Sequence, residues 1–468
     1  MPATPPSTPF ADELREAVAA GFPLAVADLS RLVRIPSVSW DGFDPEQVGA
    51  SAEAVRALAA DTGVFDDIDI VQVPIGGGSK LGLPAIIATR AARNGRPTIL
   101  LYAHHDVQPP GEDEHWDSVP FEPTLRGDRL YGRGAADDKA GVMTHIAAIR
   151  SLVAVTEDDL DVGLVLFIEG EEEFGSRSLP EILRRYRSRI ASDVIVVADS
   201  GNWDLDTPAL TIALRGAVAF NLRITTLAHA SHSGMMGGAV PDAPMAAIEL
   251  LATLWKKDGS VAVEGLTSHD EETPKYGENK LREESGLLDG VSPIGAGAIL
   301  SRLWYQPSIT VTGMDIPNIR NASNTLVPSV RVRISARVAP GQTAQDAFTA
   351  IEAHLLRHVP FGAEISIEDL DLGNPFLVDS TGWAASDALE TMGEAWGTEA
   401  VEIGAGGSIP FIADLVEMFP AAQILITGVE DPDSRAHSPN ESLHLPTLRR
   451  AILSEALLLA RLNGRSGE

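Results

Sequence analysis

The sequence contains no cysteine among its 468 residues. Disulfide bonds and thiolate metal sites are therefore excluded, and any metal ion must be bound through histidine, aspartate or glutamate. Long apolar runs are also missing, because no uninterrupted stretch reaches the roughly 18 apolar residues that indicate a membrane-spanning helix. Residues 1–10 lack the basic and apolar regions of a secretory signal. We therefore expect a soluble, cytoplasmic protein.

Basic residues are scarce: 36 lysines and arginines stand against 66 aspartates and glutamates, and the formal net charge is −30. Nucleic acids and anionic membranes bind basic surfaces, so neither is expected as a partner. The chain is long, with 468 residues, and apolar residues make up 44% of it. A chain of this size is too long for one ordinary hydrophobic core, so we expect two domains.

The first and last parts of the chain share one pattern. Helical periodicity alternates there with short apolar strands, for example at residues 98–103, 162–168 and 423–427. Alternation of this kind indicates a mainly parallel sheet covered by helices. We therefore predict that both parts belong to one α/β domain.

The middle of the chain has a different pattern. Residues 217–225 and 329–338 alternate between apolar and polar side chains, which indicates a sheet with one face in water. We predict an inserted α+β domain that acts as a lid. The predicted division is a catalytic domain formed by residues 1–208 and 343–468, with the insert at residues 209–342.

Histidine and acidic residues follow the ends of several predicted strands. They are His104 and Asp106 after residues 98–103, Glu172 and Glu173 after residues 162–168, Asp199 after residues 194–198, and His437 in the loop after residues 423–427. Asp137 lies in a glycine-rich approach to a predicted helix. Open α/β sheets place their ligands at the carboxyl ends of the strands. These side chains are therefore candidates for one shared site.

Each of these residues also has an ordinary structural interpretation. A single histidine such as His104 is more often a core or surface residue, and Asp137 is a suitable helix N-cap. An acidic run such as residues 169–173 is usually a solvated face. The functional interpretation depends on all of these residues occurring together. Strand ends that are far apart in sequence each present a group that binds hard or borderline metals. The sequence thus predicts a hydrolase that uses zinc, manganese or cobalt.

The spacing within these motifs suggests separate roles. The period of two in a strand puts His104 and Asp106 on the same side, where Asp106 can fix the orientation of the imidazole. At Glu172 and Glu173, one carboxylate can bind metal while its neighbour takes a proton from the attacking water. Three further features are weaker evidence: His232 in a glycine-rich loop, Arg337 on a strand, and the segment at residues 406–410. The last two can bind a substrate carboxylate.

Taken in order, these motifs resemble the M20 metallopeptidase family, and within it the carnosinase-like dipeptidases. The resemblance covers nearly the whole chain, at residues 32–39, 104–109, 116–123, 131–139, 169–176, 232–238, 406–410 and 437–441. It implies a zinc-peptidase-like catalytic domain and an insert that serves as both lid and dimerisation domain. It also implies a homodimer.

The family pattern implies a set of metal ligands for two divalent ions per subunit. Asp137 corresponds to the bridging ligand, His104 and Asp199 to the ligands of one ion, and Glu173 and His437 to those of the other. Zinc is the expected metal, with manganese or cobalt as alternatives. Identical ligands accept all three metals.

The family pattern also implies roles around the metals. Glu172 corresponds to the general base, Asp106 to the residue that orients His104, and a cis peptide bond is expected after Asp137. His232 corresponds to a histidine that reaches from one subunit into the active site of the other and contacts the scissile carbonyl or its oxyanion.

Substrate contacts are implied as well. Arg337 corresponds to the arginine that holds the terminal carboxylate of the substrate, with Ser408 and Gly407 beside it. The chain departs from the family pattern just before residues 406–410. Dipeptidase relatives commonly have Arg-Glu there, whereas this chain has Gly404 and Ala405.

The expected reaction is hydrolysis of dipeptides or short peptides with a free C-terminal carboxylate. The alternative is an N-acyl-amino-acid amidohydrolase of the same family, which would use the same metals and base. An inactive metal-binding homologue should have lost a metal ligand or Glu172. All five implied ligands and Glu172 are present, so this alternative is not favoured. A phosphate-ester hydrolase would need a phosphate-binding glycine-rich loop with a basic partner, which the sequence lacks.

Overall fold

The computed structural model describes residues 8–157, 159–378, 380–406 and 410–465. The chain divides into two compact units. The first unit comprises Met1–Ile212, Val378–Ile403 and Asp414–Glu468, and the second comprises Ala213–Leu377 and Gly404–Ala413.

The helices of the described chain are α1 Ala11–Val33, α2 Pro45–Asp61, α3 Lys139–Thr156, α4 Leu179–Ile190, α5 Ser233–Met236, α6 Ala243–Ala252, α7 Glu278–Ser285, α8 Ile299–Trp304, α9 Ala344–His358, α10 Trp383–Trp396, α11 Pro410–Met418 and α12 Leu445–Gly464. The strands are β1 Asp67–Val71, β2 Ala85–Arg90, β3 Thr98–His104, β4 Thr124–Arg126, β5 Arg129–Tyr131, β6 Gly163–Glu169, β7 Val194–Val197, β8 Ala209–Leu214, β9 Gly216–Thr225, β10 Ser231–His232, β11 Ser308–Asp315, β12 Thr325–Leu326, β13 Ser329–Val338, β14 Glu364–Gly373, β15 Phe376–Leu377, β16 Val401–Ala405, β17 Gln423–Ile426 and β18 Ser442–His444.

The central sheet of the first unit is mainly parallel. Seven of its nine strands run in the order β1-β2-β6-β3-β7-β17-β8. The central pairs β6-β3, β3-β7 and β7-β17 are parallel, and the pairs β1-β2, β2-β6 and β17-β8 are antiparallel. Strands β6 and β7 are buried along their whole length, as expected where helices cover both faces of a parallel sheet. Helices α1, α3 and α12 pack against one another beside this sheet. The predicted α/β fold with a mainly parallel sheet is confirmed.

The parallel strands end at one edge of the sheet. His104 is the last residue of β3 and lies in register with Glu169, the last residue of β6. The loops that follow β6, β7 and β17 leave from the same edge, since all of these strands run in the same direction as β3. The candidate residues of the first unit therefore lie on or directly after neighbouring strand ends.

The second unit is built on a four-stranded antiparallel sheet with the order β11-β13-β9-β14. Burial alternates along β9 and β13, and their bounds agree with the strands predicted at residues 217–225 and 329–338. Helices α6 and α9 contribute the other side of the apolar core. The side chains that alternate into this core explain the period-two pattern of the sequence.

The second unit extends to Leu377, beyond the end at residue 342 that the sequence predicted. The reason is that β14 pairs with β9 from Glu364 to Gly373 and α9 packs against the same strand. A local pattern of helix and strand does not reveal such a long-range pairing. The assignment of this unit as a lid and dimerisation domain stays a prediction.

Within the described part of the chain, no helix combines the length and the apolar character needed to cross a membrane.

The core of the second unit contains a pair of aromatic rings, and we predict that its loss destabilises the protein. Phe220 is fully buried, and its ring centroid lies 5.8 Å from that of Phe348 in an edge-to-face arrangement. Phe220→Ala should cost about 3–5 kcal/mol, because it removes buried apolar surface and leaves a cavity. Thermal denaturation followed by circular dichroism measures the effect. Phe361→Ala is the control, since Phe361 is 58% exposed, and an equal loss in both variants would contradict the prediction.

Candidate metal centre

His104 and Asp106 form one wall of a buried polar cluster in the first unit. The Nδ1 atom of His104 lies 3.1 Å from the backbone oxygen of Asp106 and 3.4 Å from its Oδ1 atom. These contacts direct the other ring nitrogen, Nε2, away from Asp106. Nε2 is buried and has no hydrogen-bond partner among the described residues. A buried imidazole nitrogen of this kind is suited to bind a metal ion.

Asp106 also fixes the loop that follows β6. Its carboxylate accepts hydrogen bonds from the backbone N–H groups of Glu172 and Glu173, each at 3.1 Å. One carboxylate thus positions His104 on β3 and two glutamates after β6. The sequence predicted the contact with His104 but not the contact with this loop.

The carboxylate of Asp137 lies between the two histidines. Its Oδ1 atom is 3.2 Å from Nε2 of His104, and its Oδ2 atom is 2.9 Å from Nε2 of His437. The peptide bond between Asp137 and Asp138 is cis, as the resemblance implied. Asp137 therefore has the position expected of a bridging ligand.

The remaining candidate ligands divide between the two histidines. Asp199 Oδ1 lies 3.8 Å from Nε2 of His104, whereas Glu173 Oε2 lies 3.2 Å from Nε2 of His437. We call His104 and Asp199 the first half-site and His437 and Glu173 the second. Asp137 has one oxygen beside each of them.

Asp138 is a further carboxylate in the cluster that the sequence prediction left out. Within the described residues, two groups place three ligand atoms within 4.8 Å of one another: His104 with Asp138 and Asp199, and His104 with Asp137 and Glu173. However, Asp138 Oδ2 already accepts a hydrogen bond from the backbone N–H of His104 at 3.0 Å. Among the described residues, Asp137 is the carboxylate that lies beside both imidazoles, so its role as bridging ligand stays a prediction.

Glu172 and Glu173 have different surroundings although they are neighbours. Glu173 accepts hydrogen bonds from the backbone N–H of Gln108 at 3.2 Å and from its Nε2 at 2.7 Å, and its side chain is only 4% exposed. Glu172 Oε2 lies 3.9 Å from Nε2 of His104, and its side chain is 16% exposed. No described residue donates a hydrogen bond to the Glu172 carboxylate. The hydrogen bonds thus fix the carboxylate of Glu173 but not that of Glu172.

The electrostatics of the cluster favour added positive charge. Burial raises the pKa of Glu172 well above its usual value, and burial together with the charge of Asp137 raises the pKa of Glu173 to about 7. Hydrogen bonds to Asp137 and Glu173 raise the pKa of His437 to about 11. The negative charges of the clustered carboxylates therefore repel one another and are only partly neutralised by the two histidines. A divalent cation among them would stabilise their ionised forms instead.

The donors of the cluster fit a metal centre. They are imidazole nitrogens and carboxylate oxygens without sulfur, which suits zinc, manganese or cobalt. Nε2 of His104 is buried without a well-aligned hydrogen bond among the described residues, and the Asp137 carboxylate lies beside both histidines. Both observations are consistent with two neighbouring ions.

Glu441 is a residue whose importance the sequence did not reveal. Its fully buried carboxylate pairs with Arg133 at 2.7 Å. It also accepts hydrogen bonds from the backbone N–H groups of Gly134 at 3.1 Å, Ala136 at 2.9 Å and Asp137 at 3.1 Å. Glu441 therefore shapes the loop that presents Asp137. The two residues are 304 positions apart, so no local pattern links them.

We predict that Glu441→Gln weakens metal binding by about 10-fold to 100-fold, because it weakens the support of the loop that carries Asp137. Titration of metal into chelator-treated protein measures the affinity. Glu455→Gln is the control, since Glu455 is also buried but pairs with His145 at 2.8 Å and contacts none of the candidate ligands. Equal affinities for wild type and Glu441→Gln would contradict the role of Glu441.

The other candidates belong to the second unit. His232 is exposed on β10, and its Nδ1 atom accepts a hydrogen bond from the backbone N–H of Gly234 at 3.0 Å. Arg337 lies on β13, where it pairs with Ser308 on β11. Ser408 and Gly407 lie outside the described residues. The roles assigned to these four residues remain predictions.

The structure gives a physical reason for the glycine at position 404. A Cβ atom added to Gly404 would lie 2.5 Å from Cγ of Trp304 on α8. The indole therefore fills the space in which a side chain at position 404 would begin. An arginine at this position would not fit without a shift of Trp304.

Histidines and carboxylates grouped at the carboxyl ends of parallel strands are typical of metal-dependent hydrolases. The model of peptidase family M20/M25/M40 matches residues 100–461 of this chain. The chain belongs to that family and is an enzyme, a metallopeptidase. The resemblance inferred from the sequence motifs is confirmed.

Named relatives support the dipeptidase subgroup. The cysteinylglycine-S-conjugate dipeptidase of Corynebacterium striatum is 32% identical over 379 residues, which cover 80% of this chain and 83% of the relative. The human Beta-Ala-His dipeptidase is 28% identical over 425 residues, covering 83% of this chain and 81% of the relative.

Solved structures agree with the fold. The di-peptidase Dug1p from Saccharomyces cerevisiae superposes with a TM-score of 0.81 at 21% identity, covering 98% of this chain and 100% of its own. Human carnosine dipeptidase 1 gives a TM-score of 0.77 at 23% identity, with coverage of 99% and 100%.

Proposed function

We propose that the protein hydrolyses the peptide bond of dipeptides or short peptides that have a free C-terminal carboxylate. The position of Asp137 supports this function most directly, because one of its carboxylate oxygens lies beside His104 and the other beside His437. Such an arrangement is suited to two neighbouring metal ions. Relatives named as dipeptidases along most of the chain support the same substrate class.

We propose that two zinc ions occupy the half-sites, with manganese or cobalt as alternatives. His104 and Asp199 would hold one, Glu173 and His437 would hold the other, and Asp137 would contact both. When bound, the ions would supply Lewis-acid polarisation of the scissile carbonyl and activation of water. Elemental analysis of the protein purified without added metal tests the identity of the ions.

Glu172 is proposed as the general base and acid. Its carboxylate would take a proton from the attacking water as the carbon–oxygen bond forms. It would then return that proton to the leaving amine as the carbon–nitrogen bond breaks. The support is its position beside His104 and its freedom from hydrogen bonds within the described residues.

The second unit is proposed to complete the site. His232 would stabilise the oxyanion that develops on the carbonyl oxygen, and Arg337 would hold the terminal carboxylate of the substrate, with Ser408 and Gly407 beside it. We further propose a homodimer that forms through the insert and acts in the cytoplasm. Light scattering coupled to gel filtration tests the dimer, and a monomeric mass would contradict it.

The deacylase alternative is not favoured, because the relatives reported above are named as dipeptidases. Free amino acid release distinguishes the two reactions. We expect rapid release from plain dipeptides such as Cys-Gly and β-Ala-His, and slow release from N-acetyl amino acids with the same C-terminal residues. Both rates should fall to background after chelation and return when zinc or manganese is added.

The controls of this assay separate the alternatives. Release from the acetylated set alone would assign the protein to the amidohydrolases. Release that persists in excess chelator would contradict a metal-dependent reaction. No release from either set, with metals bound, would contradict the proposed function altogether.

A further inference from the structure

The second unit contains a cleft that includes none of the candidate metal ligands. Its volume is about 610 Å³, which lies within the range of small-molecule binding sites. Its walls come from the segment around α7 and α8, the loop after α6 and the edge strand β11. Most of the side chains are apolar, for example Trp255, Val263, Leu281, Ile294, Leu303 and Ile309. The cleft therefore favours a ligand with an apolar body.

The charges in the cleft all have one sign. Arg215, Lys256 and Arg302 line it, and none of the described lining residues is aspartate or glutamate. This contrasts with the chain as a whole, whose net charge is −30. A cationic cleft in an acidic protein favours an anionic ligand.

Arg215 is the central feature of the cleft. It is only 8% exposed, and its Nε atom has no hydrogen-bond partner in the part of the chain that the structure describes. Within the described residues, its Nη1 atom donates only long hydrogen bonds, to the backbone oxygens of Arg302 at 3.4 Å and Gln306 at 3.3 Å and to the hydroxyl of Ser308 at 3.4 Å. No described carboxylate forms an ion pair with it. A buried charge without a counter-ion is costly, so an anion bound here would gain much of its affinity from Arg215.

Arg215 stays charged under physiological conditions. Burial, together with the positive charge of nearby Arg337, lowers the pKa of Arg215 to about 10. The guanidinium is therefore protonated at neutral pH. Its planar fork of donors matches the two oxygens of a carboxylate.

We propose that this cleft binds a small organic carboxylate that has an apolar body and no ammonium group. The carboxylate would pair with Arg215, and the body would lie against the apolar walls. A free amino acid fits poorly, because its ammonium would face the three cations without any carboxylate to balance it. The ligand class therefore differs from the amino acid products of the proposed reaction.

Isothermal titration calorimetry on the metal-loaded protein tests the ligand class. The probe is 3-phenylpropionate, compared with its neutral amide, with L-phenylalanine and with inorganic phosphate. We expect the acid to bind about tenfold or more tightly than each of the other three, because only the acid combines the anion with an apolar body and lacks the ammonium. No measurable binding of the acid at millimolar concentration would overturn the proposal. Equal binding of the amide, the amino acid or phosphate would overturn the ligand class.

Two variants locate the binding site. Arg215→Gln removes the cation, and Gln306→Glu adds a carboxylate to the lining of the cleft without removing the arginine. Each should weaken binding of 3-phenylpropionate about tenfold or more. Arg320→Gln is the control, because Arg320 is exposed in the same unit and does not line the cleft. If Arg215→Gln does not fold, Gln306→Glu decides the question, and unchanged affinity in it would overturn the proposal.

Metal removal separates this cleft from the metal centre. No candidate metal ligand lines the cleft, so the affinity for 3-phenylpropionate should be the same before and after chelation. Loss of binding on chelation would place the carboxylate at the metals and overturn the proposal. The outcome does not depend on whether the enzyme cleaves dipeptides.

Discussion

Glu172→Gln should lower kcat for dipeptide hydrolysis by about 100-fold to 10,000-fold while metal binding is retained. The amide of glutamine cannot accept the proton of the attacking water, and it cannot return one to the leaving amine. The hydrogen bond from the Glu172 backbone to Asp106 is unaffected by the change, so the loop should keep its position. Steady-state kinetics and elemental analysis of the same preparation measure both quantities.

The neighbouring glutamate provides the control for this prediction. The Glu171 carboxylate accepts hydrogen bonds from the backbone N–H groups of Leu83 at 3.2 Å and Ser178 at 2.7 Å, and it is not among the groups that contact the histidines. Glu171→Gln should therefore retain most of kcat. Near-normal turnover in Glu172→Gln, or an equal loss in both variants, would contradict the assignment of the base.

Asp137→Asn should remove bound metal from both half-sites and reduce hydrolysis to background. Asparagine has one oxygen and no charge, so it cannot serve both His104 and His437 as the Asp137 carboxylate does. Elemental analysis after dialysis gives the metal content, and dipeptide hydrolysis gives the activity. Asparagine has nearly the same shape as aspartate, so a loss of bound metal would reflect the changed ligand chemistry rather than altered packing.

Asp199→Asn is the matched comparison, because Asp199 lies beside His104 alone. It should lower metal content mainly at the first half-site, so the protein should keep more metal than Asp137→Asn does. If Asp137→Asn retained the metal content of wild type, the bridging assignment would be wrong. If both variants lost metal equally, the division into half-sites would be wrong.

The sequence was informative about the site because the site follows strand ends. Apolar runs at residues 98–103 and 162–168 predicted strands, and β3 and β6 lie there. In a parallel sheet the carboxyl ends of neighbouring strands meet at one edge. Residues directly after those runs, such as His104 and Glu173, therefore come together although the intervening chain is long.

Some roles depended on contacts that no local pattern contains. Glu172 and Glu173 are identical in type and adjacent, and the hydrogen bonds from Gln108 distinguish them. Glu441 supports the backbone of Asp137 from a position 304 residues away. The extent of the second unit likewise depends on the pairing of β14 with β9.

The sequence by itself determined the class of chemistry. The absence of cysteine, the histidines and carboxylates after apolar runs, and the order of the motifs are properties of the chain, and they limited the site to nitrogen and oxygen ligands. Only the tertiary structure decided which carboxylate lies beside both histidines, which of two adjacent glutamates is hydrogen-bonded, and that Arg215 is buried without a counter-ion among the described residues. The physical reason is that residue type sets what a group can bind, whereas burial and long-range hydrogen bonds decide which groups remain available to bind it.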